Sequence, residues 1–297
     1  MQTSQTRCFS LFFFFSLFLL FSKERQPSYP YITGDGFRAY ADYILDEDSM
    51  TLNPEQMKDY DVVFVKTEYC ELFFSVYHPR ITKKYILITH NSDQDVPGPY
   101  YSYLSDPLLI VWFGQNLCLP QSAKLRVLPI GLTNQYNALG HPEWMSQVIK
   151  KRKIKEKQKK YLAYFNVTLQ TCLNERKRAF DYFHSKSFCK TMKSSVCYSK
   201  FLNDLLCAKY TISPRGNGLD CHRTWEALYA GSIPIVKSSN IDPLFEHLPA
   251  LIVNDWDEVT EGFLNDNYEK IKNKLYKEEK LFMDYWIEQI ESYKFNH

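Results

Sequence analysis

The sequence predicts an α/β protein of two Rossmann-like domains that face a cleft, and two features of its 297 residues lead to this prediction. Short apolar runs alternate with longer amphipathic segments, which is typical of parallel strands joined by crossover helices. The alternation occurs twice, before and after a basic stretch at 150–160. Because such sheets bind ligands at the carboxyl ends of their strands, the cleft is the expected site.

The first domain is predicted to cover 26–157. Strands are expected in its apolar runs, and the segment ELFFSVYHPRI (71–81) predicts a helix. The predicted strands lie at 61–66, 84–90, 108–114 and 125–132. Residues 150–160 contain eight Lys or Arg and one Glu, which we interpret as a solvated helix end and linker.

The second domain is predicted to cover 158–297, with a largely helical terminus from residue 258. Asn174 is the expected N-cap of its first helix, Gly231 the expected end of its third, and Asp255 or Asp257 a cap after the last strand. The predicted helices are 174–184, 198–207 and 221–231, and the predicted strands are 161–167, 209–213, 233–236 and 250–255.

Residues 1–25 precede the fold and contain the uncharged segment CFSLFFFFSLFLLFS at 8–22. As a helix this segment spans about 22 Å, less than the ~30 Å hydrocarbon core, so it fits a signal peptide or a short anchor. Because no A-x-A-like cleavage site follows, we favour an uncleaved anchor over a cleaved signal. The formal net charge of +2 gives no argument for nucleic-acid binding.

Seven cysteines follow this segment, so at least one would be unpaired in an oxidising lumen. They contain no CxxC pair, which argues against a structural zinc site. Cys189 and Cys197 are candidates for a disulfide, and buried free thiols are the alternative.

The stretch SPRGNGLDCHRTWEALYAGSIPIV (213–236) has the composition of an anion-binding strand, turn and helix. Gly216 and Gly218 are expected to allow positive φ and a close approach of the backbone to a ligand. The helix that follows would direct its free N–H groups at the same space, and Arg215 would add a charge-assisted contact.

Within that helix, His222, Arg223 and Glu226 share one face. A carboxylate one turn inside a phosphate-binding helix could accept hydrogen bonds from ribose hydroxyls, so Glu226 is the expected ribose contact. An ordinary turn and a surface Arg223–Glu226 pair are the structural alternative. The stretch lacks the GK[ST] of a Walker loop and the third glycine of a dinucleotide fingerprint.

The same stretch resembles the C-terminal signature of exostosin-type glycosyltransferases, in which a Ser-Pro-Arg-Gly turn leads into a Glu-bearing helix closed by Ala-Gly-x-x-Pro. Weaker similarity lies in KYILITHNSD, VLPIGLTN, YLAYFNVT and NERKR, so the resemblance covers most of 60–255. It implies a GT-B architecture whose N-terminal domain holds the acceptor and whose C-terminal domain binds the donor. The implied donor-binding residues are Asn166, Arg176, Arg215, Gly216, Asn217, Gly218, Asp220, His222, Arg223 and Glu226.

By this resemblance the protein is expected to transfer a sugar from a nucleotide-sugar to a glycan or glycoprotein acceptor. A UDP-sugar is the expected donor, and a GDP-sugar donor, as in fucosyltransferases, or a catalytically inactive binding protein are the alternatives. The expected location is the ER or Golgi membrane, with a lumenal catalytic domain. A secreted protein is the alternative.

A divalent metal is not expected as a cofactor. Three Asp-x-Asp triplets occur, and among them only Asp93 and Asp95, after a predicted strand, form a fair metal candidate. The other two triplets are Asp46-Glu-Asp48 and Asp255-Trp-Asp257. Since arginines and a helix terminus are available for the leaving-group charge, a metal-independent reaction is the better interpretation.

The segment HNSDQD (90–95) supplies candidates for the general base that deprotonates the acceptor. Asp93 is the first choice and His90 the second, and a turn with Asx capping is the alternative for each. Asn166-Val-Thr168 is a glycosylation sequon, but its place at the end of a predicted buried strand favours a role in the cleft.

Overall fold

The computed structural model describes residues 25–155, 158–192 and 196–295. The predicted anchor or signal segment at 8–22 lies outside these residues. Across the described parts of the chain, no helix is both long enough and apolar enough to cross a membrane.

The N-terminal sheet consists of five parallel strands in the order β1-β2-β3-β4-β5. Its central strands are buried along their whole length because both faces of the sheet are covered, which explains their near-continuous apolar sequences. The strands are β1 (Tyr43–Leu45), β2 (Asp61–Lys66), β3 (Tyr85–His90), β4 (Leu109–Gly114) and β5 (Leu125–Val127).

The C-terminal sheet also has five parallel strands, in the order β10-β9-β8-β6-β7. The chain passes from β6 to β7 on one side and then to β8 on the other, so the winding direction changes between β6 and β8. A crevice forms at the carboxyl end of a sheet at such a switch point. The strands are β6 (Tyr161–Phe165), β7 (Cys189–Thr191), β8 (Ala208–Ile212), β9 (Ile233–Lys237) and β10 (Leu251–Val253).

Two helices connect the predicted domains. The helix before residue 157 packs against two helices of the C-terminal half, and the last helix returns to the N-terminal sheet, where Arg126 Nε donates to Tyr293 Oη at 2.8 Å. The division at 157/158 stays a prediction. The helices are α1 (Gly34–Tyr40), α2 (Cys70–Leu72), α3 (Pro142–Lys155), α4 (Leu173–Phe183), α5 (Tyr198–Cys207), α6 (His222–Tyr229), α7 (Glu261–Lys272) and α8 (Met283–Phe295).

Two parallel sheets with helical crossovers confirm the predicted α/β class and are consistent with two Rossmann-like domains. The eight predicted strands and the helix at 198–207 are confirmed, although several strands are shorter than expected. Gly231, with φ of 68°, follows the end of α6 as predicted. Asp255 caps the turn after β10 in a capping box with Glu258.

Other local predictions were wrong. Asn174 is not an N-cap, because Cys172 precedes α4 in a left-handed conformation with φ of 52°. The segment expected to be a helix at 71–81 is helical as far as Arg80, so its position was right, but it is only one turn of α-helix (α2) followed by π and 3₁₀ turns. Of the two alternatives for Cys189 and Cys197, the structure has free thiols and no disulfide, with Cys189 buried and Cys197 exposed, and the seven cysteines of the described chain are all unpaired. The sequence also gave no indication of α1, β1 or β7.

Candidate functional site

Two arginines bridge the loops that follow β6 and β8, at the switch point of the C-terminal sheet. Arg176, from α4, donates from Nε to Arg215 O at 2.9 Å and from Nη1 to Thr168 O at 2.8 Å. Arg223, from α6, donates from Nη1 to Pro214 O and from Nε to Asn166 O, both at 3.2 Å. Adjacent carbonyls of the β8 loop therefore hold both guanidinium groups in fixed positions.

These two cations have no carboxylate partner within 4 Å in the described chain. Arg176 is buried, and Arg223 is half-buried. Loss of hydration lowers the pKa of Arg223 and the charge of Arg176 lowers it further, while the charge of Glu226 acts in the opposite direction. Because a charge removed from water is costly without a counter-charge, the pair favours an anionic ligand.

A carboxylate and a phenol lie beside the arginines. Tyr198, the first residue of α5, donates its hydroxyl to Glu226 Oε1 at 2.7 Å. Glu226 is buried, and burial raises its pKa, while the Tyr198 bond and the charge of Arg223 act in the opposite direction. The remaining acceptor capacity of this carboxylate is suited to hydroxyl donors.

These side chains line a cleft of about 780 Å³, which is within the size range of ligand sites. Most of the lining comes from the C-terminal half, while Thr133 and Leu139 contribute from the N-terminal half. Of the predicted site residues, the cleft brings together Asn166, Arg176, His222, Arg223 and Glu226.

Arg215, the predicted main diphosphate contact, does not line this cleft. Its Nε donates to Gly216 O at 3.2 Å and its Nη2 donates to Asn217 O. The side chain instead lines a smaller cavity of about 230 Å³ on the other side of the loop, with Glu175 and Lys237. Arg215 contributes to the cleft through its backbone carbonyl and not through its charge, because that oxygen accepts a hydrogen bond from Arg176.

Neither Gly216 nor Gly218 adopts a positive φ. Both lie where another side chain comes close to the backbone and leaves little room for a Cβ. A Cβ on Gly216 would lie 3.1 Å from Arg176 Nη2. One on Gly218 would lie 2.6 Å from Asn116 Nδ2, in the N-terminal half. The predicted phosphate turn is therefore partly a contact between the two halves.

Asn217 and Asp220 also lie at that contact. Asn217 Nδ2 donates to Asp93 Oδ2 at 3.2 Å. Asp220 is buried and accepts from Cys221 N, Trp225 Nε1 and Ile130 N, each at 2.8 Å. Burial raises the pKa of Asp220 to about 6. Because three protein donors already bind this buried carboxylate and it does not line the cleft, Asp220 is placed as a structural residue at the contact between the halves.

The two predicted bases, His90 and Asp93, differ in their exposure to solvent. His90 is buried, its Nε2 lies 3.0 Å from Pro129 O, and its Nδ1 accepts from Asn91 N at 2.8 Å. Burial lowers the pKa of His90 to about 4. Because both ring nitrogens are engaged away from the cleft, His90 is a structural residue and the prediction of a base there was wrong. Asp93 is exposed and lines a smaller polar pocket next to the cleft.

The described residues contain no group of three or more His, Cys, Asp or Glu side chains placed to bind a metal ion. Asp46 and Asp48 pair with Arg25, and Asp255 is the cap after β10.

Tyr198 was missed as a site residue, because nothing in the sequence of α5 distinguishes it from a core tyrosine.

The fold and this site define an α/β protein with a basic cleft between two parallel sheets. The chain matches no protein-family model and no curated protein. One solved structure that it matches is the trehalose-6-phosphate phosphatase N-terminal domain of Candida albicans, at 12% identity over 80% of this chain and 73% of that chain, with a TM-score of 0.37. A likeness this weak carries no argument about function.

Proposed function

We propose that this protein is a glycosyltransferase of GT-B architecture that binds a nucleotide-sugar in the cleft between its halves. The supporting observation is the pair formed by Arg176 and Arg223, two fixed cations without a carboxylate partner in the described chain. A diphosphate would supply a counter-charge and accept hydrogen bonds from the guanidinium N–H groups that the loop carbonyls leave unused.

Glu226 and Tyr198 support the nucleoside part of the proposal. Their hydrogen bond fixes a carboxylate beside the cations, where ribose hydroxyls next to a diphosphate could reach it. Phe180 and Phe201, which also line the cleft, offer apolar surface for a base or sugar ring. The proposed donor is a UDP-sugar, with a GDP-sugar as the alternative.

The remaining parts of the proposal rest on the exostosin-type signature at 213–236. They are a glycan or glycoprotein acceptor, a reaction without a divalent metal, and attachment to the ER or Golgi membrane by the N-terminal segment. In such a reaction Arg176 and Arg223 would stabilise the charge that develops on the leaving diphosphate.

The test is thermal unfolding of the full chain with UDP, GDP and a panel of their sugars, each with and without EDTA. A ligand that binds only the native state at 100 times its dissociation constant stabilises it by about 2.7 kcal/mol. We expect uridine compounds to raise the melting temperature and EDTA to leave the shift unchanged. The proposal fails if no nucleotide or nucleotide-sugar stabilises the protein.

A further inference from the structure

A second, polar pocket of about 290 Å³ lies beside the basic cleft, at the carboxyl edge of the N-terminal sheet. His222 and Thr133 line both spaces, so the two spaces meet at these side chains. The other groups that line the pocket are mostly polar and include Lys66, Glu68, Asn91, Asp93, Gln115 and Asn134.

The imidazole of His222 is oriented by a contact between the two halves. Its Nδ1 lies 2.9 Å from Gly131 O, and because a carbonyl can only accept, Nδ1 carries the proton of the neutral ring. Its Nε2 then holds the lone pair and has no hydrogen-bond partner among the described residues. Burial lowers the pKa of His222, although the bond to Gly131 and the charge of Asp93 oppose this, and the net shift favours the neutral ring.

The pocket has an unsatisfied acceptor in its wall. Gln115 is 1% exposed, and its Oε1 is buried without a hydrogen-bond partner in the described structure. Such an atom costs about 1–3 kcal/mol unless a donor reaches it. Nearby, Asn134 Nδ2 donates to Asn91 Oδ1 at 3.0 Å, which fixes both amides. An array of amides and hydroxyls with an unsatisfied acceptor beside it is suited to a ligand with several hydroxyl groups.

We propose that this pocket binds a sugar acceptor through its hydroxyl groups and that His222 is the general base that deprotonates the reacting hydroxyl. The inference rests on the proposed function and names the acceptor site and base for that reaction. The hydroxyl would lie at Nε2, between the polar pocket and the donor in the basic cleft.

In this step the acceptor O–H bond breaks and its proton goes to His222 Nε2. The acceptor oxygen uses the freed electron pair to form a bond to the anomeric carbon of the donor. The bond from that carbon to the phosphate oxygen breaks, and its electrons leave with the nucleoside diphosphate toward Arg176 and Arg223. The imidazolium then releases the proton to solvent.

Asp93 is the competing base, since it lines the same pocket. Its carboxylate already accepts from Asn217 at the contact between the halves, and it is exposed to solvent. His222 is the better placed group, because it alone among the titratable side chains of the described chain lines both spaces.

Charged and titratable groups face His222 from several elements and shape its titration. Asp93 raises its pKa, and the charges of His222 and His90 disfavour each other. The others line the two spaces with it: Arg176, Tyr198, Arg223 and Glu226 on the cleft side, and Lys66, Glu68 and Tyr136 on the polar side.

The test compares His222→Asn with the wild type, because the Asn amide can keep the hydrogen bond to Gly131 O while lacking the Nε2 base. The donor is the UDP- or GDP-sugar that stabilises the wild type most, and the acceptors are methyl glycosides of common hexoses. We expect a loss of at least about 100-fold in transfer rate, the usual contribution of a general base, with a donor dissociation constant within threefold. The wild-type rate should fall at acid pH as His222 takes up a proton, and His222→Asn should lose that acid limb.

Gln115→Leu tests the pocket, since it removes the buried acceptor and keeps the volume. We expect at least about a tenfold higher KM for the methyl glycoside and an unchanged donor dissociation constant. A His222→Asn rate within threefold of the wild type, or an unchanged acceptor KM in Gln115→Leu, overturns this inference alone. Absence of any nucleotide binding to the wild type instead overturns the proposed function, and the assignment of the base with it.

Discussion

Gly218→Ala is expected to destabilise the protein by separating the RGNG loop from the N-terminal half. An added Cβ would lie 2.6 Å from Asn116 Nδ2 and 2.9 Å from Asn116 Oδ1. Asn116 is buried and would have to move. Its Oδ1 accepts from Asp220 N, and its Nδ2 donates to Ser92 O, each at 3.1 Å.

The magnitude follows from those two contacts. Each neutral hydrogen bond contributes about 1 kcal/mol net, and overpacking a filled site costs about 1–3 kcal/mol. Gly218→Ala should therefore lower the free energy of unfolding by about 3–5 kcal/mol. At about 2–4 °C per kcal/mol, the melting temperature should fall by about 6–20 °C.

A double-mutant cycle with Asn116→Gly tests the cause. Asn116 has φ of 56°, which glycine adopts readily, so this variant removes the obstructing side chain without backbone strain. In that background Gly218→Ala should cost less than about 0.5 kcal/mol in urea or thermal unfolding. Additive effects of the two substitutions would refute the contact as the cause.

Two further substitutions test the environment of the site. Burial lowers the pKa of His90 to about 4 from its ordinary 6.5, so the unfolded chain binds the proton first and stability is lost as the pH falls from 6.5 toward 4. Relative to His90→Gln, the wild type should lose up to about 3 kcal/mol of unfolding free energy over that range, and a constant difference in urea titrations would contradict this. The opposite dependence from Asp220, whose pKa is raised, is common to both proteins and cancels. Tyr198→Phe removes the hydrogen bond that holds the Glu226 carboxylate, so it should raise the pKa of Glu226 further and weaken UDP binding by about tenfold. A calorimetric dissociation constant equal to that of the wild type would contradict that reasoning.

The strands were predictable because a parallel sheet covered on both faces requires continuous apolar runs, and DVVFVK and KYILITH have that composition. Short elements such as β1 and β7 carry three residues each, too few for a periodic pattern. The start of α4 was misjudged because the chain turns at Cys172 in a conformation that its sequence does not signal.

The stretch at 213–236 predicted three of the side chains that line the candidate cleft, His222, Arg223 and Glu226, but not how the others are arranged around it. Arg215 and Arg223 are the same residue type in the same stretch, so the sequence does not distinguish their roles. Only the path of the loop places Arg223 in the cleft and Arg215 in the smaller cavity. The sequence does not distinguish the two histidines either. Both ring nitrogens of His90 have hydrogen-bond partners, Pro129 O and Asn91 N, whereas His222 uses only Nδ1. Tyr198 reaches Glu226 from another helix, a tertiary contact without a local signal.

The most direct test of the central claim is calorimetric titration of UDP, and of GDP as the alternative, into Arg223→Gln and its matched control Arg215→Gln. Both substitutions remove one charge from the same region, but only Arg223 lines the basic cleft. The account predicts at least a tenfold weaker nucleotide affinity for Arg223→Gln and a change of less than about twofold for Arg215→Gln. Equal losses in the two variants, or a loss confined to Arg215→Gln, would contradict it.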